Sequence, residues 1–362
     1  MQAGAAARKR HIPTLDGLRG IAALLVVFSH FPTLGLGAVL NARVGDYGVL
    51  LFFVLSGFLM GYLYLDERFD RQSVVSYTAA RVARIVPLYY VVVIVSFVLS
   101  KAIGPAFVNH MSDTEFVRLL LFAGKITVFW SIGPEVQFYA VFVLIWLGMA
   151  SGALGRLSWL VGAVLAAALV ILAQTRFPGV TVMSKLHIFL AGVIVSQLFV
   201  RVRDEGSELA FTIAQVVALG LVVLIALPDP PFAELFYPPV AAIDVKHDAV
   251  FGNLKIVLMI AAILLAFTHE TRFSRVVLAN RVARLAGLYS FSLYLLHEPV
   301  MQGVTALLAD RDVPKLVIGV ADVLAAFLVS AASFRLLERP AQRKVRQLVT
   351  HWTDRGVVAP PP

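Results

Sequence analysis

Long apolar blocks recur along this sequence, and they constrain its fold more than any other feature. A helix that crosses a bilayer needs about 20 predominantly apolar residues. Blocks of roughly that length stand at about 17–36, 48–65, 85–103, 132–150, 157–174, 183–200, 209–227, 249–268, 285–307 and 315–337. They explain why 59% of the residues are hydrophobic and only 15% are charged, against about half and a quarter in soluble domains. We therefore predict an all-α, polytopic membrane helix bundle with about ten transmembrane helices.

Two stretches between the blocks have their own character. Residues 116–130 are shorter and carry Arg118 and Lys125, so we interpret them as an interfacial or re-entrant piece because charges inside a span are costly. The longest stretch without an apolar block is 228–248, whose prolines favour an ordered, extended loop.

The positive charges predict how the bundle is oriented. The chain carries a formal net charge of +9. If the N-terminus is cytoplasmic and the ten blocks alternate in direction, 21 of the 31 Lys and Arg residues fall on cytoplasmic segments. This is the positive-inside pattern, so we predict that both termini are cytoplasmic. Lipid headgroups then account for the basic surplus, and no nucleic acid partner is needed.

The domain organisation is predicted to be simple. We expect one transmembrane domain at 11–346, between disordered cytoplasmic tails at 1–10 and 347–362. The sequence contains no cysteine, which removes disulfides, a cysteine thioester intermediate and a zinc–thiolate site. We expect neither a metal ion nor a permanently bound cofactor.

Polar residues interrupt the first block. Asp16 and Arg19 are three residues apart at a helix start and can pair. Arg19 and His30 are separated by eleven residues, which puts them within about 20° of one helix face and roughly 16 Å apart along the axis. Ionisable groups inside a span are candidates for function. The alternatives are a helix cap for Asp16, a membrane-surface anchor for Arg19 and a helix-packing hydrogen bond for His30.

Two arginines precede the third block. Arg81 and Arg84 share a helix face at the predicted cytoplasmic end of the span. Guanidinium groups match phosphate oxygens, so the pair is a candidate site for a phosphorylated ligand. Anchoring to lipid headgroups is the alternative.

Further polar groups lie at the ends or in the middle of other blocks. Glu135 follows Gly133-Pro134 and is expected in the first turn of the fourth span, where a carboxylate needs a partner. The set of such polar residues also includes Ser56, Ser131, Tyr139, Tyr294 and His297. Helix capping and packing hydrogen bonds are the structural alternatives to a functional role for its members.

Taken in order along the chain, these groups resemble the motifs of the acyltransferase-3 family of bacterial integral membrane O-acyltransferases. The resemblance covers nearly the whole chain. It rests on Leu15–Gly20 with His30, Phe52–Phe58, Arg81 with Arg84, Trp130–Ser131 with Glu135 and Phe138–Tyr139, and Tyr294 with His297 and Pro299.

The resemblance implies an activity and a location. Members transfer an acyl group, often acetyl, from acyl-CoA to a hydroxyl, typically on a sugar of an envelope polysaccharide or glycolipid and in some cases on a macrolide. The expected location is the bacterial cytoplasmic membrane. Many members carry an additional extracytoplasmic hydrolase-like domain; we find none in this sequence and expect the chain to act alone.

The resemblance and the residues together predict a mechanism. His30 is expected to act as the essential base or as a transient acyl carrier, with Glu135 orienting or charge-balancing its imidazole. Arg19, Arg81 and Arg84 are expected to bind the phosphates of acyl-CoA. Ser131, Tyr139 or Tyr294 can donate to the developing oxyanion. These three belong to a supporting polar network of six residues: Asp16, Ser56, Ser131, Tyr139, Tyr294 and His297.

Two other classes of protein fit the same features. A proton-coupled exporter of a sugar, lipid or small molecule would use His30 and Glu135 as a proton relay. A non-catalytic component of an envelope-polymer assembly would tolerate substitution of both residues. The acyl chain, the acceptor and the oligomeric state are open at this point.

Overall fold

The structure is a computed structural model, and it describes residues 11–31, 43–152, 156–173, 177, 179–202, 206–227, 248–309 and 311–355. Within these ranges the chain is helical and contains no strand. This agrees with the predicted all-α class. The predicted N-terminal tail and nearly all of the predicted loop 228–248 lie outside the described residues.

Fifteen α-helices are present in the described ranges. They are α1 (Pro13–Ser29), α2 (Val44–Tyr64), α3 (Arg71–Ile103), α4 (Asp113–Leu120), α5 (Ile132–Ala150), α6 (Arg156–Ala173), α7 (Val182–Val202), α8 (Glu208–Ala226), α9 (Asp248–Phe251), α10 (Leu254–Phe267), α11 (Arg272–Val277), α12 (Arg281–Leu288), α13 (Ser290–Leu308), α14 (Lys315–Ser333) and α15 (Arg339–Arg355). A π-helical turn (Phe334–Glu338) joins α14 to α15.

Six helical stretches in the described part of the chain are long and apolar enough to cross a membrane. They are Val44–Tyr64, Arg71–Ala106, Thr127–Ala150, Val182–Val202, Glu208–Ala226 and Lys315–Val349. The structure therefore supports a multi-pass bundle, while the number of ten spans and the cytoplasmic placement of the termini stay predictions. Some predicted blocks fold as shorter pieces: α1 has 17 residues, and block 249–268 breaks before Asn253, leaving 14 residues in α10.

Polar caps explain where several helices begin. Side chains of Asp70, Ser112, Ser207, Thr271 and Asn280 accept hydrogen bonds from backbone N–H groups in the first turn of the helix that follows. Such caps satisfy donors that a helix start leaves without partners. Short polar sequences thus set the breaks between apolar helices.

The C-terminal segment differs from the prediction. Helix α15 continues to Arg355, so residues 347–355 are helical rather than a disordered tail. The segment 116–130 folds as a short helix and a 3-10 turn, in keeping with its interpretation as a piece that is not a span by itself. The hydroxyl groups of Tyr89 and Tyr90 on α3 donate to carbonyl oxygens of Leu119 and Leu120 at 2.8 and 3.0 Å, which ties this piece to α3.

Close helix packing fixes the centre of the bundle. Helices α2 and α7 touch at two glycines, because a Cβ on Gly57 would overlap the carbonyl of Phe189 and a Cβ on Gly192 would overlap that of Val54. Small residues permit this approach of two backbones. Helix α1 packs on α2, α12 and α13, so its C-terminal end is held beside α13, where the polar residues described next are found.

Candidate functional site

His30 closes the first helix. Helix α1 ends at Ser29, so His30 is its C-cap rather than a residue inside a longer span 17–36. Its Nδ1 lies 2.9 Å from the carbonyl oxygen of Val26, and its side chain is 39% exposed. Because a carbonyl oxygen only accepts, we assign the Nδ1–H as the donor and leave Nε2 as the reactive nitrogen.

Two residues of α13 face this imidazole. Nε2 of His30 lies 3.2 Å from Oε1 of Glu298, and its Nδ1 lies 3.3 Å from Nε2 of His297. The Nδ1 of His297 lies 3.0 and 2.9 Å from the carbonyl oxygens of Leu293 and Tyr294. This nitrogen must therefore carry the proton of the neutral ring, and the His297 Nε2 presents a lone pair toward His30.

Glu298 places a carboxylate oxygen beside the imidazole nitrogen that His30 leaves free. While Nε2 is unprotonated, two lone pairs face each other and repel. A proton taken up by Nε2 turns the contact into a charge-assisted hydrogen bond. The geometry therefore describes a base that can accept one proton and hold it against a nearby carboxylate.

Glu135 lies elsewhere in the polar network. It occupies the first turn of α5, as the sequence predicts. Its Oε1 accepts hydrogen bonds from Ser56 at 2.6 Å and from Tyr139 at 2.7 Å. The expectation that Glu135 pairs with the imidazole of His30 is therefore corrected: the carboxylate in contact with His30 belongs to Glu298.

Ser131 and Tyr294 connect the two parts of the network. Their hydroxyl oxygens are 2.7 Å apart, and both residues are buried. The ring of Tyr294 lies 6.5 Å from that of His297, which in turn contacts His30. The structure thus brings Ser131, Tyr294 and His297 together, and the contacts lead from the base of α5 to the end of α1.

A large basic cavity opens at the other end of these helices. Its volume is about 940 Å³, which is in the range of small-molecule sites. The walls include all three arginines that the sequence predicts for phosphate binding and add three more from α12 and α15: Arg19, Arg81, Arg84, Arg281, Arg284 and Arg346. The carboxyl groups of Asp16 and Glu338 lie at the same wall.

A narrow extension leads from this cavity toward the polar network. Its volume is about 40 Å³, and its walls include Ser56, Ser131, Glu135, Tyr139 and Tyr294. It shares a set of lining residues with the basic cavity, so the two adjoin: Arg19, Arg81, Arg84 and Phe291. Arg81 also lies over the ring of Tyr139 at 5.9 Å, a cation–π distance.

The predicted pair of Asp16 and Arg19 is not the contact that forms. Asp16 Oδ2 lies 3.0 Å from Nε2 of His11, which stands two residues before the helix. The backbone of Asp16 packs directly on Gly287 of α12, where a Cβ would overlap the Asp16 carbonyl. This close approach brings Arg19 to the same cavity wall as Arg281 and Arg284 of α12.

The sequence analysis missed Glu298 and the arginines of α12. Glu298 is an acid inside the predicted span 285–307, and that alone marks it as a candidate. Arg281 and Arg284 repeat the three-residue spacing of Arg81 and Arg84, which was the signal for phosphate binding. Nothing in the spacing indicates that either group meets α1.

The chain matches a known family model over most of its length. The model of the acyltransferase domain matches residues 12–335. A peptidoglycan O-acetyltransferase OatA from Listeria monocytogenes is 23% identical over 374 residues, which is 92% of this chain and 56% of the relative. A putative O-acetyltransferase from Staphylococcus aureus is 24% identical over 370 residues, covering 93% of this chain and 58% of the relative.

Another relative has a similar identity and coverage. The O-acetyltransferase OatA of Staphylococcus aureus is 22% identical over 383 residues, which is 92% of this chain and 58% of the relative. The chain thus spans somewhat more than half the length of these curated relatives. No solved structure matches it.

Proposed function

The chain belongs to the acyltransferase family whose model covers residues 12–335, and from this premise we propose that it is a membrane O-acyltransferase using acyl-CoA. The donor is acetyl-CoA or another acyl-CoA that enters from the cytoplasm. The acceptor is a hydroxyl on a sugar of a cell-envelope polysaccharide or glycolipid. The protein acts in the bacterial cytoplasmic membrane.

One observation carries this proposal more than any other. A cavity lined by six arginines narrows into a polar passage whose walls include Ser131 and Tyr294. From Tyr294 the path leads to His297, whose ring centre is 6.5 Å away. His297 in turn contacts His30. This order, from arginines to polar hydroxyl groups to an imidazole, fits a donor with phosphates at one end and a thioester at the other end of a long arm. Guanidinium groups bind phosphates, and the narrow part, at about 40 Å³, has to widen to take the arm.

The reaction we propose for His30 is base-assisted acyl transfer. The acceptor oxygen attacks the thioester carbonyl carbon while Nε2 takes the hydroxyl proton. The carbon–sulfur bond then breaks, the proton passes to the sulfur, and free CoA leaves. The carboxylate of Glu298, 3.2 Å from Nε2, stabilises the imidazolium that exists between these two steps. The alternative of a transient acyl-histidine predicts an acylated protein in the absence of acceptor.

The buried hydroxyl groups are suited to the oxyanion. Ser131 and Tyr294 both lie at the passage, and each can turn its proton toward a carbonyl oxygen that gains charge. Glu135 holds Ser56 and Tyr139 at the same passage. We propose that it shapes this wall and does not accept the acceptor proton.

The acceptor assignment follows from the relatives. One of them is named for O-acetylation of peptidoglycan, a polymer of the cell envelope with sugar hydroxyls. A macrolide-like natural product is the other acceptor that the same chemistry allows. Because the chain covers little more than half of these relatives, the acceptor is proposed only as the class of envelope sugars.

A transfer assay in membrane vesicles tests the proposal. Vesicles that contain the protein are supplied with radiolabelled acetyl-CoA and an envelope glycan fraction. We expect label to enter the glycan with the wild-type protein and not with His30→Ala, provided both are folded and equally abundant. Movement of glycan or lipid across the vesicle without any need for CoA would overturn the proposal in favour of an exporter.

A further inference from the structure

The end of α1 and the middle of α13 bring three metal-ligating side chains together. One ligand atom from each of His30, His297 and Glu298 lies within 4.8 Å of the other two. The sequence predicts no metal site, since it has no cysteine for a zinc–thiolate site. From this juxtaposition we propose that the three residues form a binding site for a divalent transition-metal ion, with Zn²⁺ as the best match.

The protonation pattern supports metal binding. The Nδ1 of His297 donates to two backbone carbonyls, and the Nδ1 of His30 donates to the carbonyl of Val26. A metal-binding histidine commonly donates its second N–H to a carbonyl in this way, which fixes the ring and directs the other nitrogen at the ion. Both imidazoles are thus prepared to offer Nε2.

The distances are close to those of a zinc site. Ligand atoms around a tetrahedral Zn²⁺ at about 2.0–2.1 Å are roughly 3.3 Å apart. Nε2 of His30 and Oε1 of Glu298 are 3.2 Å apart. No two of the three ligand atoms are more than 4.8 Å apart, so the widest contact closes by at most about 1.5 Å on binding. A small shift of the His30 side chain, which is 39% exposed, can supply this movement while Nδ1 keeps its hydrogen bond to Val26.

Charge also favours an ion at this position. The lone pairs of His30 Nε2 and Glu298 Oε1 face each other and need a proton or a cation between them. The second carboxylate oxygen, Oε2, is buried and has no hydrogen-bond partner among the described residues. A divalent ion bound by the two imidazoles and by Oε1 would have three protein ligands and one open coordination position, with the charge of Oε2 beside it.

Metal binding and base catalysis use the same lone pair. If Nε2 of His30 is bound to Zn²⁺, it cannot accept the proton of an acceptor hydroxyl. Occupancy of this site therefore inhibits acyl transfer. This consequence rests on the proposed function, whereas the site itself does not.

The binding experiment uses the full chain purified in detergent with an affinity tag that contains no histidine. After treatment with EDTA and its removal, Zn²⁺ is titrated by calorimetry, and Co²⁺ is used as a spectroscopic substitute. We expect one saturable site per chain and visible absorption bands typical of four-coordinate Co²⁺. Glu298→Gln and His297→Gln should each weaken binding at least tenfold.

A matched control separates this site from general binding to histidine. His110→Ala removes an exposed histidine that contacts Ser100 and lies outside the cluster, and it should bind Zn²⁺ as the wild type does. No saturable binding, or equal binding by wild type and Glu298→Gln, would overturn the site. Because Glu298→Gln keeps the shape of the side chain, it covers the case in which a histidine variant does not fold.

The inhibition is tested separately. Zn²⁺ at saturating concentration should abolish release of thiol from acetyl-CoA, and EDTA should restore it. Full turnover with the site occupied would overturn the inhibitory role and leave the metal site standing. A wild-type protein that binds Zn²⁺ but never turns over acetyl-CoA would instead contradict the proposed function.

Discussion

Replacement of Glu298 by glutamine removes a charge and leaves the shape of the site nearly unchanged. The account assigns this carboxylate to the stabilisation of protonated His30, whose Nε2 it faces at 3.2 Å. Unit charges at this separation attract by about 1.3 kcal/mol in bulk water and by about 5 kcal/mol at an effective dielectric constant of about 20. Because the His30 side chain is 39% exposed, water screens the pair and the lower half of this range applies.

We therefore expect Glu298→Gln to lose about 2–3 kcal/mol of transition-state stabilisation, which is a roughly 30- to 160-fold fall in kcat. KM for acetyl-CoA should change little, since Glu298 does not line the basic cavity. A loss that falls on kcat and leaves KM unchanged separates a defect in the chemical step from a defect in donor binding.

The assay is initial-rate release of thiol over a range of acetyl-CoA concentrations, for purified wild type and Glu298→Gln. Glu115→Gln is the matched control, because it removes a carboxylate from a different ion pair, the one with Arg118. A folded Glu298→Gln protein with kcat within threefold of wild type would refute the reasoning.

Three further predictions test other parts of the structure. Arg284→Ala should raise KM for acetyl-CoA about tenfold, because it removes a charge-assisted contact to phosphate. With acetyl-dephospho-CoA as the donor, Arg284→Ala and wild type should have the same KM. The control Arg118→Ala should leave KM unchanged for both donors. Gly57→Ala should lower the free energy of unfolding by about 1–3 kcal/mol, because the new Cβ would overlap α7. A Cβ on Gly148 would meet no atom within 4 Å, so Gly148→Ala should be neutral or slightly stabilising. Thermal unfolding in detergent measures both variants. Asp70 is the N-cap of α3, and the hydrogen bond it accepts from the backbone N–H of Ser73 lowers the pKa of its carboxyl group. Asp70→Ala should therefore lower the unfolding temperature at neutral pH. The difference in unfolding temperature from wild type should shrink as the pH falls through that lowered pKa.

Composition and block length were enough to predict the class of fold. Apolar blocks with few charges predict helices, since a spanning backbone must satisfy its own hydrogen bonds. The number of spans was less predictable. Block 285–307 appears continuous in sequence but divides at Tyr289 into α12 and α13, and polar caps such as Asn253 decide where a helix restarts.

The structure brings together several of the predicted site residues. Arg19, Arg81 and Arg84 line one cavity, and their binding of phosphates stays a prediction. The carboxylate partner of His30 could not be read from spacing, since it depends on how α1 meets α13. Apolar side chains such as Val27 and Leu293 pack at that meeting, and a single sequence does not reveal which helices approach each other.

The most direct test of the account is thiol release from acetyl-CoA by the purified protein, with and without an envelope glycan extract. Wild type, His30→Ala and the control His110→Ala are compared at equal folded concentration. The account predicts turnover by wild type and His110→Ala that rises with the extract, and none above background by His30→Ala. Equal turnover by all three proteins would contradict the assignment of His30 as the base for acyl transfer.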